Sequence, residues 1–313
     1  MLNDCKYILW FKEVNKGNIS SVGGKAANLG EMFSKFPIPD GFCLTVSAFE
    51  IFLRENNNSE KIKNLIKNIN AGNLKSLEKI SSRIKKIILK SKIPEELEEE
   101  FFKNYKKLSG FVAVRSSAVA EDLQEASFAG QQATFLNVKG ENKLIKSIKE
   151  CWASYYSTRA IIYRESNNFK HDPLMAVAVQ EMVDSKKSGV IFTVNPVNRN
   201  KEEIMIESSF GLGEAIVSGI VTPDNFIVGK KNMEIISELI NEKNVAIFKQ
   251  NGKNKMIKLN SKKANERSLN QKEIADLSRI AVQIEEYYKK PMDIEFAIDD
   301  NIYILQARPI TTL

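Results

Sequence analysis

The chain has one histidine, His171, and three widely spaced cysteines, Cys5, Cys43 and Cys151. A single imidazole cannot form a His-cluster metal site, and it leaves little room for His-based acid–base chemistry. An odd cysteine count at such spacing fits neither a disulfide framework nor a zinc site, so a reducing cytoplasmic setting is expected. No apolar run is long enough to span a bilayer, and the start, Met1-Leu-Asn-Asp-Cys-Lys6, lacks the basic-then-apolar order of an export signal. No membrane partner is therefore expected. Low-complexity tracts and internal repeats are also missing.

What remains is an ordinary globular composition. The 313 residues are 43% hydrophobic and 27% charged, enough to bury a large core in two domains or one bilobed domain. The net charge is +7, with the excess lysine between Lys61 and Lys107 on segments that read as helices. No aromatic-interleaved patch or nucleic-acid motif goes with it, so solvated helix faces are expected rather than a nucleic-acid surface.

Along the chain, a short strand and turn are expected at 7–15, and strands at 41–46, 111–115, 134–138, 175–182, 188–193 and 203–208, with short strands joined by polar turns over 224–260. Ser47-Ala-Phe-Glu50 reads as a capping box that starts a helix. Two or three Lys/Glu-rich helices follow over 59–107. A long helix is expected at 141–166, with Arg159 and Arg164 placed to suit its C-terminal dipole. Another spans 271–290, with Ile274, Leu277, Ile280, Ala281, Ile284 and Tyr287 on one side.

Four stretches carry candidate chemistry. In Val22-Gly-Gly-Lys-Ala-Ala-Asn-Leu-Gly30, paired glycines open a helix where backbone amides attract anions, and Lys25 adds a full charge. The spacing is not that of a Walker A loop, and a Gly-rich turn with a surface lysine fits equally. Arg115 ends a strand before an acidic, small-residue stretch, 116–131, that reads as a long loop. It could grip a phosphate or pair with Glu121 or Asp122. Gly211 and Gly213 imitate a dinucleotide fingerprint, but Ile216 stands where the third glycine belongs.

The fourth stretch is Met292-Asp-Ile-Glu-Phe-Ala-Ile-Asp-Asp-Asn-Ile-Tyr-Ile-Leu-Gln-Ala-Arg-Pro309. Its alternation predicts a β-hairpin turning at Asp299-Asp300, with Asp293 opposite Gln306. Asp293 and Glu295 share one face of the first strand, and Gln306 and Arg308 share one face of the second. Carboxylate and amide oxygens suit Mg²⁺, and an adjacent guanidinium suits phosphate. Taken alone, the pattern also suits a hairpin with one wet face.

The ordered set Val22-Gly-Gly-Lys-Ala-Ala-Asn-Leu-Gly30, Val114-Arg-Ser-Ser-Ala118, Ala126-Ser-Phe-Ala-Gly-Gln131, Ser188-Gly-Val-Ile-Phe-Thr193, Phe210-Gly-Leu-Gly-Glu214 and Gln306-Ala-Arg-Pro309 closely resembles one family. It is the N-terminal ATP-binding domain of the phosphoenolpyruvate synthase and pyruvate phosphate dikinase group, shared with rifampin phosphotransferases. The resemblance covers nearly the whole chain. It implies an α+β, ATP-grasp fold with two lobes, about 1–185 (with a helical segment about 47–107) and 186–313, and ATP held between them.

By the same resemblance, Lys25 and Arg115 match triphosphate-holding residues. Glu295 and Gln306 match the Mg²⁺-binding pair. Arg308 matches a phosphate contact, and Asp293 a further acidic position beside it. Gln180, Glu181 and Met182 match the strand edge that meets adenine, largely through backbone groups. Glu214 matches a polar position near the nucleotide. Ser127-Phe-Ala-Gly130 looks like a cover over the outer phosphates, with Gly130 admitting backbone amides.

The resemblance implies a pyruvate, water dikinase-type enzyme. ATP would give AMP and phosphate through a histidine on a separate domain, and pyruvate would become phosphoenolpyruvate. His171 lies outside any phosphohistidine motif, so the acceptor histidine is expected in trans or on a further C-terminal part. A rifampin-modifying enzyme carries the same motifs. A non-catalytic nucleotide sensor is a further alternative, although it need not keep the full metal and phosphate set.

Overall fold

The computed structural model describes residues 6–67, 69, 73–119, 133–167 and 169–310. The chain divides into two compact units, one of residues 1–34 and 40–182, the other of 35–39 and 183–313. Among the described residues no helix is long and apolar enough to cross a membrane.

The first unit runs β1 (Ile8–Trp10), α1 (Ile19–Phe33), β2 (Gly41–Leu44), α2 (Val46–Glu55), α3 (Ser59–Ile66), α4 (Leu74–Lys90), α5 (Glu95–Tyr105), β3 (Val112–Ala118), β4 (Thr134–Val138), α6 (Glu141–Ser154), α7 (Thr158–Ser166) and β5 (Met175–Glu181). Its five strands form one sheet in the order β1-β2-β5-β3-β4, and every neighbouring pair is antiparallel. Alternation sends Val112, Val114, Val177 and Val179 to one face, where they join the apolar sides of α2, α4, α5 and α6 in a single core. Trp152 anchors that core, with ring centroids 5.0 Å from Phe49 and 4.8 Å from Phe52.

The opposite face is lined by small residues such as Ala113, Ser117, Ala176 and Ala178, all buried, and α1 packs on it. Gly23 makes the close fit possible. Its φ is +73°, and a Cβ there would stand 2.2 Å from the Ser117 carbonyl oxygen. Ser117 fastens α1 on both sides of the break in its helical geometry at Gly23. Its hydroxyl donates to Val22 O at 2.8 Å and accepts from Ala26 N at 3.1 Å.

Two expectations need correction here. The first helix after β2 begins at Val46 with Thr45 as its N-cap, not at Ser47, and the Thr45 hydroxyl donates to Lys6 O at 3.0 Å instead of capping. The expected helix over 141–166 is two helices, α6 and α7. Ser157 takes an extended backbone, and its side chain accepts from Ala160 N at 3.3 Å, starting a new helix. Arg164 stands in the last turn of α7, where a cation near a helix end was expected. It is buried, donates to Tyr155 O at 2.7 Å and to His171 Nδ1 at 3.1 Å, and lies over the Tyr155 ring. His171 is thereby held in a local structural cluster that also includes Glu165, at 2.6 Å.

The second unit runs β6 (Lys187–Phe192), β7 (Glu203–Phe210), α8 (Glu214–Val217), β8 (Asp224–Gly229), β9 (Ile235–Leu239), β10 (Val245–Gln250), β11 (Lys253–Lys258), α9 (Ser261–Ala264), α10 (Gln271–Tyr288), β12 (Met292–Ile298) and β13 (Ile302–Pro309). A six-stranded antiparallel sheet has the order β13-β12-β6-β7-β8-β9, and β10 and β11 form a separate hairpin. One face of the large sheet is apolar and buried, with Ile191, Ile204, Ile206, Phe226, Val228, Ile294 and Phe296. The amphipathic α10 contributes Ile274, Leu277, Ala281 and Ile284 to the buried core of this unit, and a complete capping box from Asn270 and Glu273 starts the helix.

That buried face also holds a charged pair. Lys243 and Asp224 are both fully buried, 2.5 Å apart, and Asp224 accepts further bonds from Asn241 N at 3.0 Å and Ser268 N at 2.7 Å. The extra donors satisfy the carboxylate and make its burial tolerable.

Candidate nucleotide site

The terminal hairpin sets the geometry of the second unit's polar face. The turn holds three residues, 299–301, because Asp299 folds its carboxylate over the turn and accepts from Asp300 N and from Asn301 N. A bulge at Leu305 shifts the register once more. Asp293 therefore lies opposite Arg308, and Glu295 opposite Gln306. The expected pairing of Asp293 with Gln306 is wrong by these two one-residue shifts. Because the two shifts add to an even number, all four side chains stay on one face.

On that face, Arg308 Nε and Nη2 both reach Asp293 Oδ2, at 2.9 and 2.7 Å. The Arg308 side chain remains 48% exposed while Asp293 is 14% exposed, so the carboxylate sits below and the guanidinium above it. Burial pushes the Asp293 carboxyl above its usual range, and Arg308 draws it back down. Next along the hairpin, Glu295 and Gln306 stand as a directly opposed pair of oxygen-bearing side chains. The arrangement offers a fixed guanidinium beside two oxygen donors, which suits a phosphate with its counter-cation.

The Phe210-Gly-Leu-Gly-Glu214 stretch forms a turn instead of a dinucleotide loop. Gly211 has φ of +79°, and a Cβ there would stand 2.2 Å from Ile247 O. Ser188, which shares the Glu295 face, donates its hydroxyl to Gly211 O at 2.6 Å and ties the turn to the sheet. Glu214 is exposed at the start of α8 and accepts from Asn254 Nδ2 on β11.

In the first unit, Lys25 and Arg115 are both buried, at 5% and 8% exposure. Lys25 Nζ donates to Ser116 O at 3.0 Å, which lays the side chain along β3. Arg115 alternates with Ser117 and so lies on the α1 face of the sheet. Gln180, opposite Ala113, shares that face and is 2% exposed. Lys25, Arg115 and Gln180 thus come from three different elements onto one side of one sheet.

The 180–182 segment is not a sheet edge. β5 lies between β2 and β3, and the segment is where this central strand ends. Two of its amides are already used, Glu181 N by Asp40 O at 2.8 Å and Met182 N by Phe111 O at 2.9 Å. The Glu181 carboxylate accepts from Ser109 N and Oγ, at 2.6 and 2.9 Å. Gly130 and the rest of Ser127-Phe-Ala-Gly130 lie outside the described residues.

Sequence reasoning passed over one residue that the sheet puts on the hairpin face. Rows of paired residues run Gln306, Glu295, Val190, Glu207, Asn225 across β13, β12, β6, β7 and β8. Glu207 is half-buried, and burial alone pushes its carboxyl above the usual range. The signal was present in Glu203-Ile-Met-Ile-Glu-Ser-Ser-Phe210, where one carboxylate interrupts an apolar strand. Its significance depends on strand order, which sequence did not supply.

A strand-rich unit with a phosphate-suited polar face defines a class, nucleotide-handling domains, and the family follows directly. The family model of the pyruvate phosphate dikinase AMP/ATP-binding domain matches residues 19–313, and the chain belongs to that family. Among its relatives is a "probable phosphoenolpyruvate synthase" of Methanothermobacter thermautotrophicus, 41% identical over 318 residues, covering 98% of this chain and 46% of that protein. Another, of the same description, from Archaeoglobus fulgidus is 44% identical over 315 residues, covering 98% and 42%. The phosphoenolpyruvate synthase of Aeropyrum pernix is 40% identical over 347 residues, covering 98% and 42%. The chain spans less than half the length of these curated relatives.

Proposed function

We propose that this chain is the ATP-binding, phosphoryl-donating part of a phosphoenolpyruvate synthase-type enzyme, with an ATP-grasp fold, working in the cytoplasm. It passes phosphate from Mg-ATP to a histidine on a separate domain or chain, and pyruvate is the final acceptor. The observation that carries this reading is the hairpin register, which sets Glu295 against Gln306 and Asp293 against Arg308 on one sheet face. The relatives' names favour pyruvate over an antibiotic as the acceptor.

The donor chemistry fits magnesium. Among the described residues no group of three His, Cys, Asp or Glu side chains is placed to hold a metal by itself. Mg²⁺ in nucleotide sites takes one or two protein oxygens, and phosphates and waters complete its shell. Glu295 and Gln306 would be those two oxygens. Bound there, the ion would neutralise charge on the triphosphate.

The protein groups then divide the work. Arg308, oriented by Asp293, holds phosphate oxygens at the transferring end. Lys25 and Arg115 supply the remaining positive charge to the triphosphate. Gln180 and the backbone carbonyls of 180–182 meet the base, since two amides of that segment are taken. Gly130 lets backbone amides close over the outer phosphates. Phosphoryl transfer asks mainly for positioning and charge neutralisation, and this set supplies both.

The test uses the full chain. Calorimetry should show Mg-dependent ATP binding. With the histidine domain of a relative added in trans, AMP and phosphohistidine should appear together. ADP released by the chain alone would point to an ordinary kinase or ATPase and end the proposal.

A further inference from the structure

We propose that Glu207, with Ser209 beside it, is the sugar-recognition point of this nucleotide site, accepting hydrogen bonds from the ribose hydroxyls. The inference rests on the ATP-binding reading above. Glu207 has neither a hydrogen bond nor an ion pair among the described residues, although burial has stripped part of its hydration. A half-buried carboxylate without a partner is costly unless a ligand completes it.

Its neighbour repeats the pattern. Ser209 is two residues along β7 on the same face and is 1% exposed, yet its hydroxyl has no hydrogen-bond partner among the described residues. Two other serines of this sheet are satisfied. Ser188, paired with Ser209, donates to Gly211 O, and Ser208, on the opposite face, meets Ser268 at 2.5 Å. A half-buried carboxylate and a buried hydroxyl, side by side on the hairpin face and both without a partner among the described residues, are groups that a ligand's donors would complete.

Position selects which part of the nucleotide. Glu207 lies in the same residue row as Glu295, two strands away with the apolar Val190 between, and as Gln306 one strand further. At about 4.8 Å per strand the Glu207 and Glu295 backbones are roughly 10 Å apart. That is the reach from the outer phosphates to the sugar. A phosphate would be repelled by Glu207, and the metal pair stands at the other end of the row. A vicinal diol offers two donors to one carboxylate, the chemistry by which acidic side chains read ribose in other nucleotide folds. The Ser209 hydroxyl can add a donor or an acceptor.

The experiment measures equilibrium binding of Mg-ATP, 2′-deoxy-ATP and 3′-deoxy-ATP to the full chain, to Glu207→Gln and Glu207→Ala, and to Arg308→Ala as a control. In the unaltered chain at least one deoxy analogue should bind about tenfold more weakly than ATP, the scale of a hydrogen bond to a charged group. In Glu207→Ala that ratio should fall to near one because ATP weakens while the deoxy analogue does not. Glu207→Gln, isosteric and still an acceptor, should fall between. Unchanged deoxy-ATP binding shows that the variant is folded and its site intact.

An unaltered ratio in the variants overturns the inference, as does a chain that never distinguishes the sugars. A variant that changes the Mg²⁺ requirement and leaves sugar discrimination alone assigns Glu207 to the metal and overturns it too. If the chain binds ATP and Arg308→Ala does not, the ATP reading stands whatever Glu207 does. If the chain binds no ATP, both readings fall.

Discussion

The two units commit their candidate site residues in opposite ways. In the first, Lys25 and Arg115 are buried, and Lys25 is bonded to the β3 backbone at the point where α1 docks. On the proposed reading, function and packing would share the same atoms there. In the second, the sheet keeps them apart: the apolar face carries the core and the Lys243–Asp224 pair, while the opposite face carries Asp293, Glu295, Gln306, Arg308 and Glu207. An antiparallel sheet can do this because successive side chains point to opposite sides. Substitutions in the first unit should therefore damage stability and binding together, and substitutions in the second should separate them.

The largest effect expected comes from the structural side of the second unit. Asp224→Ala leaves Lys243 as an uncompensated buried cation and should cost about 3–5 kcal/mol, read by chemical denaturation. A loss under about 1 kcal/mol would show that the pair is not holding the unit together. On its hairpin face, the proposed site predicts that Arg308→Ala or Glu295→Ala lowers phosphoryl transfer by at least about 10²–10³-fold with the unfolding midpoint unchanged. Normal turnover in either variant removes that residue from the site.

The first unit should refuse this separation. Lys25→Ala should weaken ATP binding and also cost about 1–3 kcal/mol of stability, because the Ser116 carbonyl loses its buried donor. Gly23→Ala should act in the same double way, by forcing a Cβ against Ser117 O at positive φ. If Lys25→Ala loses affinity with full stability retained, the contrast between the units is wrong.

The smallest effect sharpens the contrast. Glu207 has its carboxyl raised by burial, so the folded state binds its proton more readily than the unfolded state does. Stability then falls as pH rises from the ordinary value of 4.5 through the raised one, and the whole cost is present above it. Glu207→Gln removes a charge that the ligand-free protein holds at a cost. It should raise the midpoint by about 1–2 °C at pH 7, and the gain should vanish below the ordinary carboxyl range. A scan of midpoint against pH checks the sign. Stability given up on the ligand face and recovered on binding is what a recognition carboxylate would show.

Most strands were legible because each carries its own period of alternation. β4 was placed at 134–138 and the last long helix at 271–290 by local pattern alone, against Thr134–Val138 and Gln271–Tyr288 observed. The errors came where a side chain chose a partner that pattern cannot show. Ser157 capped a new helix, and Thr45 turned to Lys6 O. Likewise, Asp299 and Leu305 each moved the hairpin register by one residue, and neither shift is written in the alternation of its strands.

By itself the sequence determined the family, the order of strands and helices along the chain, and the residue types that suit a triphosphate and its cation. Those depend on local spacing and on motifs a few residues long. Only the tertiary structure decided that Asp293 grips Arg308, that Glu295 faces Gln306, and that Glu207 joins their row from two strands away. These pairings depend on turn length, a bulge and strand order, so they are fixed by contacts among residues far apart in the chain.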